Sequence, residues 1–291
     1  MTAPMRYTMA DYVAARERED YPNAIAIWDA MAEATGQHLI RMSDGKYDAS
    51  LPPIFSSFLP KSGGTFLFNR MIQSAGYIDY PWGVTRHLRP SEVYPTPQTL
   101  SVYRRGGFFC HTHALPSPYF RMIFGQHDAE PIWVHLRHPA EACLAGYFHF
   151  RGEGQGEGPA RDIRIARIEE EKAFLHEKEG FKVETWPAFF CQSMGFYAHW
   201  ISSWLSYAEE YPGRVFFTYF DELADLPALF GRVFRRYGCE YCPEGIADHL
   251  PDDRRRRTGT HAWQSGLSEE DVASQADHLR VWDRVLELRV E

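Results

Sequence analysis

The chain has 291 residues, which is enough for one large domain or two small ones. Its composition is 44% hydrophobic and 24% charged, so it is too apolar for a disordered protein. The 39 Asp and Glu residues outnumber the 31 Lys and Arg residues, which gives a formal net charge of −8. This acidic balance argues against a general nucleic-acid binder, which needs an excess of positive charge to neutralise phosphates.

The cysteines and the N-terminal sequence favour a cytoplasmic protein. Five cysteines in a chain of this length are too few for a disulfide framework. The first 20 residues contain no apolar run of the kind that a signal peptide needs, and no later stretch is long enough to span a membrane. We therefore expect a cytoplasmic protein without a membrane span.

In chain order, short apolar runs alternate with helical patterns. Buried strands are predicted at 54–59, 108–111, 132–136 and 215–220. Helices are predicted at 65–75, 139–149 and 223–237. This alternation predicts a three-layer α/β/α fold with a mostly parallel central sheet, which places ligands beyond the carboxyl ends of its strands. The first 50 residues are interpreted as a mostly helical cap of unknown role, so 51–291 is expected to form a single domain.

Several further segments have simple interpretations. The glycine-rich stretch 151–160 follows no strand and is expected to be a surface loop or a lid. The aromatic stripe over 196–205 has helical spacing and is typical of a core, with a ligand wall as the alternative. Ser268 is expected to cap a C-terminal helix. Cys239 and Cys242 form an isolated CxxC, which predicts no metal site without further ligands.

The segment Pro60–Thr65 carries the strongest chemical signal. It lies between a predicted strand and a predicted helix, in a P-loop-like strand-loop-helix unit. Its small residues let the backbone wrap around an anion, the helix N-terminus supplies N–H groups, and Lys61 adds a full charge. It differs from a Walker A loop because Lys61 precedes the glycines. A glycine-rich turn with an incidental lysine is the alternative.

Arginines provide the second and third signals. Arg137 directly follows the strand predicted at 132–136, at the ligand edge of the sheet, so an anion is the expected ligand. A structural salt bridge is the other interpretation of Arg137. The run Arg254–Arg257 is either a solvated charge run or a phosphate clamp of forked guanidinium donors.

Together these features resemble the cofactor-binding elements of the sulfotransferases that use 3′-phosphoadenosine 5′-phosphosulfate (PAPS). Residues 61–65 are similar to the family's P-K-S-G-T-T-W loop, which grips the 5′-phosphosulfate. Gly64 replaces the first Thr of that loop, and Phe66 replaces its Trp. The resemblance implies that the donor is bound by Lys61, Ser62, Gly63, Gly64, Thr65 and Phe66.

The resemblance also implies a site for the donor's 3′-phosphate. Arg137 falls on the arginine of the family's second motif, whereas the serine eight residues later falls on Ala145. Phe220 stands where the family has a tyrosine before its acidic pair. Arg256, Arg257 and Gly259 resemble the family's R-K-G-x-x-G-x-W segment, with the glycine spacing off by one.

The candidate base is a histidine. Thr112 to Pro116 resembles the family's T-H-L-P segment, which makes His113 the base. Imidazole suits this role because its pKa lies near working pH. His111, a carboxylate or no base at all are the alternatives.

These interpretations predict transfer of a sulfuryl group from PAPS to a hydroxyl or amine, without a metal, and release of 3′-phosphoadenosine 5′-phosphate (PAP). The 15% aromatic content favours an apolar or aromatic small-molecule acceptor. A Mg²⁺-dependent kinase or nucleoside triphosphatase is a second hypothesis. A non-catalytic nucleotide- or anion-binding protein on a degenerate sulfotransferase fold is a third.

Overall fold

The structure is a computed structural model. It describes residues 48–74, 77–79, 103–127, 131–152, 183–239 and 262–290, together with isolated positions elsewhere. Most of the predicted cap over 1–50 and of the glycine-rich stretch 151–160 lies outside the described residues, as does the whole arginine run.

A parallel sheet forms the centre of the described structure. Its five strands are β1 (Ile54–Phe58), β2 (Ile78–Asp79), β3 (Phe108–Thr112), β4 (Ile132–Leu136) and β5 (Val215–Tyr219). They are ordered β2-β3-β1-β4-β5, and every neighbouring pair is parallel. From the central β1 the chain goes first to β2 and β3 on one side and then to β4 and β5 on the other. The ends of β1, β3 and β4 therefore flank a switch point, where such sheets bind ligands.

Helices connect and cover the strands. The described helices are α1 (Gly64–Ser74), α2 (Pro118–His127), α3 (Pro139–Phe150), α4 (Trp186–Glu210), α5 (Leu226–Arg236), α6 (Glu269–Ser274), α7 (Ala276–Leu279) and α8 (Val281–Val290). Two 3₁₀ turns occupy Phe220–Ala224 and Ala262–Gln264. Among the described residues, none of these helices combines the length and the apolar character that crossing a membrane requires.

Each face of the sheet packs against its own hydrophobic core. On one face, Phe55 of β1 and Val134 of β4 belong to a cluster with residues of α2, α3 and α4. On the other face, Phe58 and Trp133 belong to a cluster with residues of α1 and α5. All five residues of β1 and of β4 are buried, as expected for strands covered on both sides. The predicted three-layer fold with a parallel sheet is confirmed.

Local details depart from the predicted elements in three places. β5 ends at Tyr219 because Phe220 opens a 3₁₀ turn, and Leu223 belongs to that turn rather than to α5. In the aromatic stripe of α4, Phe196 is 40% exposed, whereas its other members are buried. Ser268 caps a helix as predicted, but the C-terminal segment divides into α6, α7 and α8.

Candidate functional site

The loop between β1 and α1 is a tight turn with unusual backbone geometry. The Ser62 amide donates to the Leu59 carbonyl at 3.0 Å and closes the turn. Lys61 has a φ of 66° and is the one non-glycine residue with positive φ among the described residues. Gly63 follows at a φ of 95°. A lysine in the left-handed region is uncommon and costs free energy, so surrounding contacts must hold the turn.

The glycines of this loop allow close packing that a side chain would prevent. A Cβ at Gly63 would lie 2.9 Å from Leu223 Cδ1, and one at Gly64 would lie 2.7 Å from His111 Nε2 and 2.9 Å from Phe58 Cδ2. A threonine at position 64, as in the family loop, has no room here. His111 and Phe58 thus give a physical reason for Gly64.

The loop presents groups suited to an anion. Helix α1 begins at Gly64. The Phe66 and Leu67 amides donate to the Gly63 carbonyl at 2.9 and 3.1 Å, so the N–H groups of this turn that are left for an anion are those of Gly64 and Thr65. Thr65 at this end is exposed. The Ser62 hydroxyl is buried and has no hydrogen-bond partner among the described residues. An orphaned buried hydroxyl beside a helix N-terminus fits a bound phosphate or sulfate.

Arg137 lies at the end of β4, next to the loop, as the sequence predicted. Its Nη1 donates to the Lys61 carbonyl at 3.1 Å, and its Nε donates to Glu141 Oε2 at 3.4 Å. Its guanidinium carbon lies 4.0 Å from the centre of the Phe220 ring. Only 3% of the residue is exposed. The structure thus brings Lys61, Arg137 and Phe220 together in one cluster. It also adds Glu141, four residues after Arg137, and this i+4 spacing was a signal that the sequence analysis did not use.

His113 lies one residue beyond β3, and its hydrogen bond assigns its tautomer. Its Nδ1 is 2.6 Å from the Phe58 carbonyl oxygen. Because a carbonyl can only accept, Nδ1 carries the proton, and Nε2 of the neutral ring keeps a lone pair. Burial lowers the pKa of His113 to about 4, the Phe58 carbonyl offsets part of this shift, and the charge of Lys61 lowers the pKa further. At neutral pH the imidazole is uncharged and able to accept a proton at Nε2.

Two tryptophans of α4 hold the backbone around His113. Trp200 Nε1 donates to the His113 carbonyl at 2.9 Å, and Trp204 Nε1 donates to the Ala114 carbonyl at 3.0 Å. Ser57 Oγ also donates to the Ala114 carbonyl, at 2.7 Å. The sequence placed both tryptophans in the core without assigning them this role. Their indole N–H groups needed buried acceptors, which the segment after β3 provides.

His111 has a different environment from His113. Its ring centre lies 5.2 Å from those of Phe58 and His113, and its Nε2 is buried without a hydrogen-bond partner among the described residues. Burial, and to a smaller extent the charge of His113, lowers the pKa of His111 to about 3. Since Nε2 points at Gly64, His111 packs against the start of α1.

Lys61 also acts on a histidine that the sequence analysis did not single out as a site residue. His149 lies in the last turn of α3. Burial lowers its pKa to about 4, with the positive charge of Lys61 as a second cause. Lys61 therefore lies close enough to influence both His113 and His149.

The remaining predicted positions are less informative. Phe66 packs within α1, where the Arg70 guanidinium carbon lies 5.3 Å from its ring centre. Ala145 is part of α3, which corresponds to the helix predicted at 139–149. Cys242 of the CxxC pair lies outside the described residues, as do Arg256, Arg257 and Gly259. Within the described ranges, no group of three or more potential metal ligands was found.

Comparison with known proteins identifies the fold. No protein-family model and no curated protein sequence matches the chain. In contrast, the chain is similar in structure to a mouse sulfotransferase, SULT7A1, whose crystal structure was determined in complex with PAP. The TM-score is 0.50 at 15% sequence identity, over 80% of this chain and 85% of the mouse protein. The chain therefore has the fold of the sulfotransferases.

Proposed function

We propose that this protein is a sulfotransferase that transfers a sulfuryl group from PAPS to a small-molecule acceptor. One observation carries the proposal. At the switch point of the sheet, the lysine of the 61–65 loop lies close enough to a neutral histidine to influence its pKa, and that histidine has Nε2 available as a base. The complex of the mouse neighbour with PAP supports the same donor for this chain.

The donor's 5′-phosphosulfate is proposed to bind in the loop of residues 61–65. The orphaned Ser62 hydroxyl, the N–H groups at the start of α1 and the charge of Lys61 support this assignment. By resemblance, Phe66 and Phe220 line the nucleotide site, and the 3′-phosphate is held by Arg137, Arg256, Arg257 and Gly259.

His113 is proposed to act as the general base, and Lys61 as the group that stabilises the leaving nucleotide. The acceptor oxygen or nitrogen gives its proton to His113 Nε2 as it forms a bond to sulfur. The bond between sulfur and the 5′-phosphate oxygen breaks, and PAP leaves with the negative charge that Lys61 and the loop stabilise. Positioning and electrostatic stabilisation supply most of the rate enhancement, as in phosphoryl transfer, and no metal is required.

The acceptor class, the cellular location and the extent of the domain are part of the same proposal. An apolar or aromatic hydroxyl compound is the expected acceptor, and the cytoplasm the expected location. A single domain over 51–291 carries the reaction. Neither nucleic acid nor a membrane span enters the mechanism.

The first test is the melting temperature of the purified protein with PAP, with ATP plus Mg²⁺, and alone. A ligand at 100 times its Kd stabilises a protein by about 2.7 kcal/mol, which shifts the melting temperature of a chain of this size by several degrees. We expect this shift with PAP and not with ATP plus Mg²⁺. A shift with ATP plus Mg²⁺ alone would favour the kinase hypothesis, and no shift with PAP would contradict the donor site.

The second test is sulfuryl transfer itself. Labelled PAPS is incubated with a library of phenols, alcohols and amines, and labelled products are separated and counted. Transfer to any acceptor class supports the proposed reaction. Binding of PAP without transfer to any compound would favour the non-catalytic binding protein.

A further inference from the structure

His135 is a fully buried histidine that the proposed mechanism does not use. It pairs across the sheet with Phe58, the last residue of β1 before the 61–65 loop, and the centres of the two rings lie 5.6 Å apart. The Leu59 amide donates to the His135 carbonyl at 2.9 Å, and the Ser62 amide donates to the Leu59 carbonyl at 3.0 Å. His135 therefore lies next to the start of the loop.

One threonine hydroxyl assigns the tautomer of His135. The hydroxyl oxygen of Thr218 in β5 lies 2.7 Å from Trp133 Nε1 and 2.6 Å from His135 Nδ1. The indole N–H can only donate, so the hydroxyl accepts from Trp133 and must give its own proton to another group. Among the described residues, His135 Nδ1 is the acceptor that remains for this proton. Because burial lowers the pKa of His135 to about 3, the ring is neutral at pH 7 and carries its proton on Nε2.

The Nε2 atom of His135 faces the backbone of the loop. It is buried and makes no direct hydrogen bond to a described residue. The Ser62 backbone still raises the pKa of the ring, which is the effect of a carbonyl acceptor close to a ring N–H group. A donor is thus directed at the Ser62 carbonyl, at a separation longer than that of a direct hydrogen bond.

The orientation of the Ser62 carbonyl determines where the next N–H group points. In a trans peptide the C=O and N–H bonds point in opposite directions. A Ser62 carbonyl that points towards His135 therefore directs the Gly63 N–H away from His135. This N–H donates to no carbonyl in the described part of the chain. It can join the N–H groups of Gly64 and Thr65 on a bound oxyanion.

We propose that His135 is a positioning residue for donor binding, whose Nε2–H holds the Ser62 carbonyl so that the Gly63 N–H points at the 5′-phosphosulfate. This inference rests on the proposed function. The contact between His135 and Ser62 shortens to a direct hydrogen bond when the loop closes on the anion. His135 thus acts on the donor through the loop and without touching it.

Two substitutions distinguish the two nitrogens of the ring. His135→Gln places an amide N–H group near the position of Nε2, whereas His135→Asn places its amide near Nδ1. Calorimetry gives the Kd of PAP and of adenosine 5′-phosphate, which share the 5′-phosphate. We expect His135→Asn to weaken both nucleotides about tenfold with an unchanged ratio of Kd values, and His135→Gln to stay within about threefold of the wild type. Wild-type affinity in His135→Asn, or equal weakening in both variants, would overturn the inference.

Trp133→Phe is the matched control. Trp133 lies on the same face of β4 as His135, is fully buried, and donates to the same hydroxyl. Phenylalanine removes this N–H without changing the nitrogen that faces Ser62. The variant should lose stability in urea unfolding and still bind both nucleotides as the wild type does. A weakening like that in His135→Asn would mean that general destabilisation explains the result, and would overturn the inference.

The tautomer is measured on the wild-type protein, so this readout does not require that any variant folds. Long-range proton–nitrogen NMR spectra of protein with isotope-labelled histidine show which ring nitrogen carries the proton, and through-space contacts with Thr218 assign the ring. We expect the proton of His135 on Nε2 at pH 7, and a shift of the Nε2 signal when PAP saturates the protein. A proton on Nδ1, or an Nε2 signal that does not respond to PAP, would contradict the positioning role.

The outcomes separate this inference from the proposed function. If the wild-type protein binds neither nucleotide, the donor assignment fails, and this inference fails with it. If the wild type binds PAP and His135→Asn binds it equally tightly, the donor site stands and the positioning role fails.

Discussion

At the scale of single residues, the assignment of His113 as the base depends on one hydrogen bond. The Phe58 carbonyl fixes the proton on Nδ1, and the two indoles of α4 hold the backbone from the other side. His111 lacks such an acceptor in the described structure and packs against Gly64 instead. The structure thus distinguishes two histidines that are only two positions apart in the sequence.

Replacing the proposed base or lysine should slow the reaction. We expect His113→Ala and Lys61→Ala each to lower turnover with PAPS by about 10²-fold or more, because general-base catalysis and charge stabilisation are each of this size. His199→Ala is the control, since His199 is exposed on α4. The assay is initial-rate transfer of labelled sulfate, with melting curves to show that each variant folds. Near-native turnover in either variant would rule out its assigned role.

The low pKa of His113 predicts an unusual pH profile. Burial lowers this pKa to about 4, so the base is already unprotonated at pH 5.5. We therefore expect kcat/KM to be nearly constant from about pH 5.5 to 8, whereas a histidine of ordinary pKa near 6.5 would lose activity below about pH 6.5. Initial rates across this range, on protein shown to remain folded, provide the measurement. An acid limb centred near pH 6.5 would contradict the buried environment.

At the scale of elements, the start of α1 is defined by what packs against its glycines. His111 from β3 and Phe58 from β1 occupy the space that a side chain at Gly64 would need. Leu223 of the 3₁₀ turn occupies the corresponding space at Gly63. The loop is therefore enclosed by neighbouring strands and by the turn after β5, which also places Phe220 against Arg137.

This packing predicts opposite effects for two glycine substitutions. Gly64→Ala should lower the free energy of unfolding by about 1–3 kcal/mol, because the added methyl group overpacks a closed space. Gly125→Ala, in the last turn of α2, should raise it by up to about 0.5–1 kcal/mol, since nothing lies within 4 Å of the new Cβ and alanine favours the helix. Urea unfolding measures both. Equal stability of Gly64→Ala and the wild type would show that His111 or Phe58 moves aside easily.

At the scale of the whole molecule, stability should depend on pH through one fully buried histidine, His135, and two half-buried ones, His111 and His113. Burial lowers the pKa values of His111, His113 and His135 to about 3, 4 and 3. In the unfolded chain these groups titrate near 6.5, so below that pH the unfolded state binds more protons than the folded state. Above pH 6.5 these histidines are neutral in both states, and their contribution to the free energy of unfolding is fully present. As the pH falls from 6.5 towards 4, the unfolded state takes up protons that the folded state does not, and this contribution is lost.

We therefore expect the free energy of unfolding to decrease between pH 7.5 and 5.5, by on the order of 1 kcal/mol for each of the three histidines. His135 lies fully buried in β4, where its Nδ1 is 2.6 Å from Thr218 Oγ1. Urea unfolding at several pH values tests this. Equal stability at pH 5.5 and 7.5 would mean that the histidines are accessible to water.

Much of the architecture is determined by local sequence. Short, mainly apolar runs predicted β1, β3, β4 and β5, because strands covered on both faces have no consistently polar side. Pro139 and Ser268 marked helix starts through their local effects on the backbone. The two-residue β2 was missed because so short a strand carries almost no periodic signal. The division of the C-terminal segment into three helices was likewise not apparent in its sequence.

The sequence by itself determined which residue types reach the ligand edge: a lysine before glycines, an arginine after a strand and a histidine after a strand. Each follows from where a strand ends. Only the tertiary structure decided how these side chains are used, since partners distant in sequence set their charge state and burial. Phe58 fixes the proton of His113, and Glu141, Phe220 and Lys61 surround Arg137. Such contacts arise when strands and helices pack together, and no local pattern encodes them.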